Sequence, residues 1–423
     1  MNRSSIMMIS THGYVSAEPQ FGLPDTGGQV VFVLELAKRF ARAGHQVDIV
    51  TRQFEDQPAE ETVEENLRIV RIPYGGEKFI RKEDMHDHLD ELIWKLKDHV
   101  DRHNLHYDII NSHYWDAGWA AQSLAEFLDV KHVHTPHSLG EWKRQGMKST
   151  KNDGEGKYRF TERIVKEKQI YDRCAGLIAT SPEQKDQLID FYGIAVERIT
   201  VIPPGFDEQK YQPVTAEELK RLRSRFGMHP HDIYAVGRAA TNKGYDLLIR
   251  SLPHVLEKVP DARLVLAVGA NAKRDRRLIE DWKELAEQLG VTERIQWLDY
   301  IPDEEMADRY RSAGIFALSS RYEPFGMTAA EAMACGTPTV ITQHGGLQDF
   351  IEDGRHALVC DPQDPEAFGA TLARPLENPD LRKTLSKAGA RHAHDRFGWS
   401  SIARKTLESF NQDCCEPPAV ATV

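Results

Sequence analysis

The sequence predicts an α/β protein of two doubly wound domains, each with a parallel sheet between two layers of helices. The chain has 423 residues, whereas a single domain averages roughly 150. Short apolar segments alternate with amphipathic segments through both halves, a pattern typical of parallel sheets. The alternation pauses once, at Pro203-Pro204-Gly205, where two prolines and a glycine indicate a connector.

In the first half, short apolar segments predict buried strands, and apolar residues at three- and four-residue spacing predict helices. The predicted strands are Ile6–Ser10, Gln46–Thr51, Leu67–Ile72, Ile109–Ser112 and His132–Thr135. The predicted helices are Gln29–Ala43, Lys82–His103 and Ala117–Leu128.

The same alternation restarts after the connector and continues almost to the end of the chain. The predicted strands are Ile233–Gly237, Arg263–Val268, Ile295–Trp297, Ile315–Leu318, Thr339–Thr342 and Ala357–Val359. The predicted helical segments are Tyr245–Val259, Arg276–Leu289, Met306–Ala313, Met327–Ala334, Leu347–Ile351 and Ser401–Phe410.

These elements divide the chain into a first domain over 1–205 and a second over 206–396. We expect the segment 397–423 to form a helix that packs back on the first domain, followed by a disordered tail. Two such domains leave a cleft at the carboxyl ends of both sheets, where the ligands of open α/β sheets bind. Functional side chains are therefore expected in loops that follow strands.

Composition excludes several classes of protein. No apolar stretch reaches the length of a membrane span, and we predict a cytoplasmic protein. The net charge of −11 argues against a nucleic-acid-binding protein. The five cysteines show no C-x-x-C spacing, which argues against a disulfide scaffold or a zinc module.

The first candidate motif is Asp25-Thr26-Gly27-Gly28-Gln29, which runs directly into a predicted helix. Two glycines allow close approach of a ligand, and a helix N-terminus offers free N–H groups to a phosphate. The alternative is a turn that merely needs positive φ.

The second motif, Gly237–Gly244, joins a predicted strand to a predicted helix in the second half. It contains Arg238 and Lys243, a forked guanidinium and a point ammonium that could together neutralise a diphosphate. The alternative is a pair of solvated loop cations.

The third and most specific motif is Arg321–Met333, with Glu323 before a predicted helix and Glu331 within it. Small residues near the helix start allow a ligand to come close, and the carboxylates can accept hydrogen bonds from sugar hydroxyls. Taken alone, Glu331 could simply complement the helix dipole.

The segment His132–Gly140 contains three histidines. Because no carboxylate stands beside them at ligand spacing, packing is favoured over metal binding for His132 and His134. His137 follows the strand and is better placed to contact a substrate. The chain also lacks an Asp-x-Asp triplet, so metal-dependent binding of a nucleotide sugar has no candidate.

Several cations of the first half fall in loops where they could form a pocket for a small phosphate ester. Each could equally be a solvated surface charge. They are Lys78, Arg81, Lys82, Lys143, Arg144, Arg159 and Arg163.

Together these motifs resemble those of the retaining glycosyltransferases with two Rossmann-type domains, the GT-B fold. The similarity extends from Met8 to about Leu407. Within this family the chain is most similar to the sucrose-phosphate synthases, and more closely to the mannosylfructose-phosphate synthases. The closer match lies in Ile9–Tyr14, Phe54–Pro58, Asn111–Gly118, Thr135–Gly140 and Thr241–Asp246.

The resemblance implies roles for the matching residues. His137 would contact the donor hexose, Arg238 and Lys243 would stabilise the leaving diphosphate, Glu323 would hold the transferred sugar, and Glu331 would bind the ribose. The implied donor site comprises Gly27, Gly28, Arg238, Lys243, Glu323, Phe325, Gly326, Met327, Thr328 and Glu331. The implied acceptor site comprises Gly28, Gln29, Lys78, Lys143 and Arg163.

The implied reaction is transfer of a hexose to fructose 6-phosphate with retention of configuration. The expected donor is GDP-mannose, giving mannosylfructose-phosphate; the alternative is UDP-glucose or ADP-glucose, giving sucrose 6-phosphate. No protein ligand for a metal is expected, although Mg²⁺ could act with the diphosphate, and a sugar phosphatase is expected to act downstream. A lipid or polysaccharide glycosyltransferase, a nucleotide-sugar epimerase and a non-catalytic sensor are disfavoured.

Overall fold

The chain divides into two structural units in a computed structural model that describes residues 3–18, 28–148, 158–269, 273–323 and 325–411. The first unit runs to Pro203 and resumes at Ile402, and the second comprises Pro204–Ser401. Each unit contains one sheet, and each is described separately below.

The sheet of the first unit has the strand order β3-β4-β2-β1-β5-β6-β7-β8. All neighbours are parallel except β3 and β4, which are antiparallel. Residues 6–9 are almost fully buried, as expected for a strand covered on both faces. The strands are β1 Ser5–Ile9, β2 Gln46–Gln53, β3 Glu60–Glu64, β4 Leu67–Pro73, β5 Ile109–His113, β6 Lys131–Thr135, β7 Gly176–Ala179 and β8 Ile199–Val201.

Six α-helices of the described residues accompany this sheet before the connector. They are α1 Gly28–Arg42, α2 Leu89–Arg102, α3 Trp115–Leu128, α4 Gly140–Lys148, α5 Phe160–Arg173 and α6 Pro182–Tyr192. Short 3₁₀ turns cover Lys82–His88 and Val196–Arg198.

The sheet of the second unit is entirely parallel and has the order β11-β10-β9-β12-β13-β14. Its strands are β9 Asp232–Arg238, β10 Arg263–Gly269, β11 Ile295–Leu298, β12 Ile315–Leu318, β13 Thr339–Thr342 and β14 Leu358–Cys360. The helices that follow the connector are α7 Ala216–Phe226, α8 Tyr245–Leu256, α9 Lys273–Gln288, α10 Asp303–Ser312, α11 Met327–Ala334, α12 Pro365–Glu377, α13 Pro379–Phe397 and α14 Trp399–Asn411. Further 3₁₀ turns cover Thr241–Lys243, Thr292–Arg294 and Gln348–Phe350.

The second unit ends five residues later than the expected boundary at 396. Phe397 remains in its core, with ring centroids 5.4 Å from Phe325 and 5.7 Å from Phe350. The amide of Phe206 also donates to the carbonyl of Phe397. The described residues from Ile402 to Asn411 belong to the first unit, where Phe410 packs on Phe40. The predicted tail, 412–423, lies outside the described residues.

Both sheets confirm the predicted fold class, and the order of strands reverses once in each. In the first unit β1 lies between β2 and β5, so the order of strands reverses there; in the second unit β9 lies between β10 and β12. Open α/β sheets bind ligands beyond the carboxyl ends at such a reversal. Among the described residues, no helix is long and apolar enough to cross a membrane.

Candidate active site

A close contact between two loops organises the candidate site of the second unit. Gly244 precedes α8 with φ +66°, and a Cβ added to it would lie 2.0 Å from the carbonyl oxygen of Ser319. Only glycine permits this combination of positive φ and close approach. The loop after β9 therefore packs directly against the end of β12.

This packing brings together the two motifs that the sequence placed 80 positions apart. Lys243 Nζ donates to Glu323 Oε2 at 2.6 Å, and Ser320 Oγ donates to the same oxygen at 2.9 Å. The backbone of Glu323 is held on both sides, by His344 and by Gly346. The Lys243 ammonium retains further N–H groups for an anionic ligand, beside a carboxylate suited to sugar hydroxyls.

Arg238 is the last residue of β9 and is exposed. Its guanidinium makes no hydrogen bond or ion pair with the rest of the described chain. By contrast, Arg321 is engaged: it forms an ion pair with Asp246 and donates to the carbonyl of Thr241 at 2.9 Å. The sequence analysis did not identify these contacts of Arg321. Their only signal was that an arginine is the first residue of the glutamate motif.

The sequence predicts that residues at the start of α11 bind the donor. Some of these side chains are partly exposed and one is buried. Gly326 precedes the helix with φ +106°, and Met327 and Thr328 in its first turn are partly exposed. Phe325 is buried and its ring packs against Phe350 at 6.0 Å. The ring of Phe325 therefore belongs to the hydrophobic core, so the predicted contact of this residue with the donor falls to its backbone.

Glu331, within α11, accepts a hydrogen bond from the Tyr310 hydroxyl at 2.9 Å. Burial raises the pKa of Glu331 to about 7, and the hydrogen bond from Tyr310 opposes that rise. Sequence reasoning did not identify Tyr310, because its hydroxyl reaches Glu331 from a different helix, α10.

We expect Glu331→Gln to stabilise the ligand-free protein at pH 8. A carboxyl whose folded-state pKa is raised loses stability as the pH climbs from its ordinary value towards pH 7, and a neutral amide avoids that loss. The gain should be about 3 kcal/mol at pH 8, since the pKa rises from 4.5 to about 7, and it should vanish below about pH 4. Thermal unfolding of both proteins across this range measures it; an offset independent of pH would contradict the assignment.

In the first unit, His137 lies two residues beyond β6 and adopts a left-handed φ of +56°. For a residue with a Cβ this conformation costs about 1–2 kcal/mol, and such strain clusters at functional sites. Its Nε2 lies 3.0 Å from Nδ1 of His113, the last residue of β5. Burial and, secondarily, the charge of His12 lower the pKa of His137 to about 3, so the imidazole is neutral at pH 7.

The glycine motif is described only from its second glycine onward; Gly27 lies outside the described residues. Gly28 begins α1 and does not have positive φ, so the alternative of a turn requiring glycine does not apply to it. Among the described residues, a Cβ added at Gly28 would meet no atom within 4 Å. The next side chain, Gln29, donates to Ser10 Oγ and to the carbonyl of His113.

Gly28→Ala should leave the fold intact and lower the catalytic turnover by at least about tenfold. The added methyl group meets none of the described residues in the ligand-free protein, and alanine favours helix formation over glycine. The same methyl would occupy the space through which a ligand reaches the helix N-terminus. Thermal unfolding and steady-state kinetics together test this; unchanged kinetics would contradict the assignment of Gly28.

Lys143 lies on α4, with Nζ 5.8 Å from the centre of the Tyr114 ring. Burial lowers its pKa to about 8, and the nearby charges of Arg163 and Lys82 act in the same direction. Such a clustering of cations suits an anionic ligand, which would relieve their mutual repulsion.

Arg163 does not fit the predicted role of gripping the acceptor. It is only 3% exposed, and it donates to Glu167 Oε1 at 2.8 Å, to the Tyr114 hydroxyl at 3.0 Å and to the carbonyl of Ser138 at 2.8 Å. Glu167 in turn accepts from the amide of Gly140. The guanidinium is thus committed to the loop before α4, and we correct its role to support of that loop.

Lys78 is exposed, and it lies in a loop whose carbonyl groups accept hydrogen bonds from a buried arginine. Arg52 donates to the carbonyls of Tyr74 and Lys78 at 2.8 Å each, and also to those of Gly75 and Gly76. Sequence reasoning missed Arg52, although an arginine within an apolar strand is an available signal. The other candidate cations Arg81, Arg144 and Arg159 form ion pairs with neighbouring carboxylates.

Within the described part of the chain, no three His, Cys, Asp or Glu side chains gather as metal ligands would. The described cysteines, Cys174, Cys335 and Cys360, are free thiols.

Both halves of the chain match family models. Residues 26–210 match Glycosyltransferase Family 4, and residues 217–392 match Glycosyl transferases group 1. With these two family matches and two α/β units that each contain a mainly parallel sheet, the protein is a GT-B glycosyltransferase that uses a nucleotide sugar.

Relatives that match almost the whole chain show to which branch of the GT-B glycosyltransferases it belongs. Mannosylfructose-phosphate synthase of Agrobacterium fabrum is 48% identical over 95% of this chain and 90% of its own. D-inositol 3-phosphate glycosyltransferase of Xylanimonas cellulosilytica is 34% identical over 98% of both. The structure of sucrose-phosphate synthase from Thermosynechococcus elongatus has a TM-score of 0.77 at 27% identity, covering 97% of this chain and 99% of its own. The chain belongs to the sucrose-phosphate synthase type of hexosyltransferase, in the branch of mannosylfructose-phosphate synthase.

Proposed function

We propose that this protein transfers mannose from GDP-mannose to fructose 6-phosphate with retention of configuration, forming mannosylfructose-phosphate. The observation that carries the proposal is the 48% identity to a mannosylfructose-phosphate synthase over 95% of the chain. The site in each unit supports it, because each presents groups suited to one phosphorylated substrate.

In the second unit, the proposed donor site uses Arg238 and Lys243 for the diphosphate. Arg238 is exposed and without a partner in the described chain, and Lys243 lies at the end of a loop beside Glu323. Glu323 would accept hydrogen bonds from the hexose, and Glu331 from the ribose. Ionisation of Glu331 is favoured when donor hydroxyls hydrogen-bond to its carboxylate.

In the first unit, the proposed acceptor site uses Gly28, Gln29, Lys78 and Lys143. Lys143 supplies an ammonium whose lowered pKa reflects its burial among like charges. A phosphate ester bound there would be stabilised by the ammonium groups of Lys78 and Lys143. His137, in the same unit, would contact the hexose of the donor.

The proposed chemistry is a front-face displacement. The bond between the hexose C1 and the diphosphate oxygen breaks while the acceptor hydroxyl forms its bond to C1 on the same face. The leaving phosphate oxygen takes the hydroxyl proton, so the protein contributes positioning and electrostatic stabilisation. A divalent ion such as Mg²⁺ could assist through the diphosphate without protein ligands.

The principal alternative keeps the acceptor and changes the donor to UDP-glucose or ADP-glucose, giving sucrose 6-phosphate. The fold similarity to a sucrose-phosphate synthase is compatible with this alternative but supports it less than the 48% identity supports the main proposal. A change of acceptor is favoured only by the more distant D-inositol 3-phosphate glycosyltransferases.

The test is nucleotide release by the purified protein with GDP-mannose, UDP-glucose and ADP-glucose offered separately, each with fructose 6-phosphate or D-inositol 3-phosphate. We expect GDP release that depends on fructose 6-phosphate. UDP or ADP release with that acceptor would instead make the protein a sucrose-phosphate synthase. Release only with inositol phosphate would overturn the acceptor assignment, as would release with neither.

The proposed product is a phosphate ester, so we propose that a sugar phosphatase acts on it next. A cytoplasmic location stays a prediction of the sequence.

A further inference from the structure

Two imidazoles at neighbouring strand ends of the first unit form a direct pair. His113 ends β5 and is fully buried, and its Nδ1 lies 3.0 Å from Nε2 of His137. The ring centroids are 5.2 Å apart, and the ring of Phe32 packs against both. The pair is therefore rigid, and the hydrogen bond between the two rings determines which nitrogen of His137 carries a proton.

Both rings are neutral at pH 7. Burial lowers the pKa of His113 well below its usual value and that of His137 to about 3. A neutral imidazole has one N–H and one bare nitrogen. Only two arrangements are then possible: either His113 donates from Nδ1, or His137 donates from Nε2.

The far side of the His113 ring distinguishes the two arrangements. Its Nε2 is buried and has no hydrogen-bond partner in the described chain. If His137 were the donor, His113 would carry its proton on Nε2 as a buried N–H without an acceptor. If His113 is the donor, its Nε2 is only an unused lone pair. Buried N–H groups without partners are the rarer defect, so His113 donates.

The adjacent histidines follow the same rule. Gln122 donates its amide N–H to Glu126 and turns its oxygen to His132 Nδ1, at 2.8 Å. Nε2 of His132 must then accept from Ser112 Oγ, which accepts from Nδ1 of His134, both at 2.7 Å. His134 is left with a buried, bare Nε2. A proton on Nδ1 therefore recurs at both histidines of β6, and an unused Nε2 recurs at His134.

We propose that His113 is a positioning residue that holds His137 as its Nδ1–H tautomer, so that His137 presents a hydrogen-bond donor to the substrate. Nδ1 of His137 makes no hydrogen bond to the described residues, but the His137 side chain is partly exposed, and Nδ1 is not among the buried atoms without a partner. As a donor it binds an oxygen of the hexose or of a phosphate, and it cannot take the proton of the acceptor hydroxyl. That step falls to the leaving phosphate, as in the proposed mechanism. The identity of the substrate rests on the proposed function; the tautomer does not.

The direct test is the ¹⁵N and ¹H spectrum of the imidazoles in ligand-free protein with ¹⁵N-labelled histidine. His137→Gln identifies the signals of residue 137. We expect the proton on Nδ1 of His137 and of His113. A proton on Nε2 of His137 would overturn the proposal whichever sugar the enzyme uses.

The kinetic test compares His113→Asn with His113→Leu, two side chains of nearly equal shape. The asparagine amide nitrogen can take the place of the histidine Nδ1–H, whereas leucine has no donor. We expect kcat of the Asn variant to exceed that of the Leu variant by about tenfold, with equal KM for fructose 6-phosphate.

A purely structural role of His113 predicts a different order. Leucine suits a buried site at least as well as asparagine does, so kcat would then follow thermal stability and the Leu variant would match or exceed the Asn variant. That result would overturn the proposal. His132→Phe, a change of a buried histidine with no bond to His137, controls for general disturbance of the core and should retain the tautomer of His137.

Discussion

Replacing Lys243 by alanine is expected to lower kcat by about 10²–10³-fold, the usual loss on removing one preorganised group that stabilises developing charge. Lys243 and Glu323 form an ion pair of 2.6 Å in which the lysine is about one quarter exposed. In the proposed mechanism the Lys243 ammonium lies next to the departing diphosphate, so its attraction to that group is strongest in the transition state. The loss should therefore appear in kcat more than in KM for the donor.

The matched control is Lys38→Ala. Lys38 also pairs with a glutamate, Glu35, at 3.0 Å and with a similar exposed fraction, but it lies near the carboxyl end of α1. Steady-state kinetics of the two variants separate loss of a site charge from loss of any partly buried ion pair. A Lys243→Ala enzyme with the turnover of Lys38→Ala would remove Lys243 from the mechanism.

Arg238→Ala is expected to lower kcat by about 10²-fold without changing thermal stability. The guanidinium is exposed and makes no bond to the described chain, so its removal breaks no contact in the ligand-free protein. Arg238→Lys should restore only part of the loss, because an ammonium keeps the charge but not the planar fork that binds two phosphate oxygens.

Kinetics together with thermal unfolding check this prediction. Full recovery by lysine would show that charge alone suffices, and wild-type turnover in Arg238→Ala would exclude the residue from the site. A lower unfolding temperature with unchanged turnover would mean that Arg238 has a structural contact instead.

Much of the fold could be predicted because it depends on local pattern. A parallel sheet buried on both faces requires continuous apolar segments, as in Ile6–Ile9, and its helices require apolar residues at helical spacing. Some elements were not predicted, among them one strand without an apolar pattern. Strand β3 comprises Glu60–Glu64, lies at the edge of its sheet and pairs with a single neighbour. Its side chains can therefore be polar, and it lacks the apolar pattern of a buried strand.

The sequence by itself determined the fold class and, through resemblance, the family, and it predicted the loops of the candidate site. Only the tertiary structure decided which side chains meet. It placed Lys243 against Glu323, buried Phe325 in the core, committed Arg163 to Glu167, and paired His113 with His137. The physical reason is that periodicity reports the local face a residue occupies, whereas burial and hydrogen-bond partners arise from segments distant in the chain.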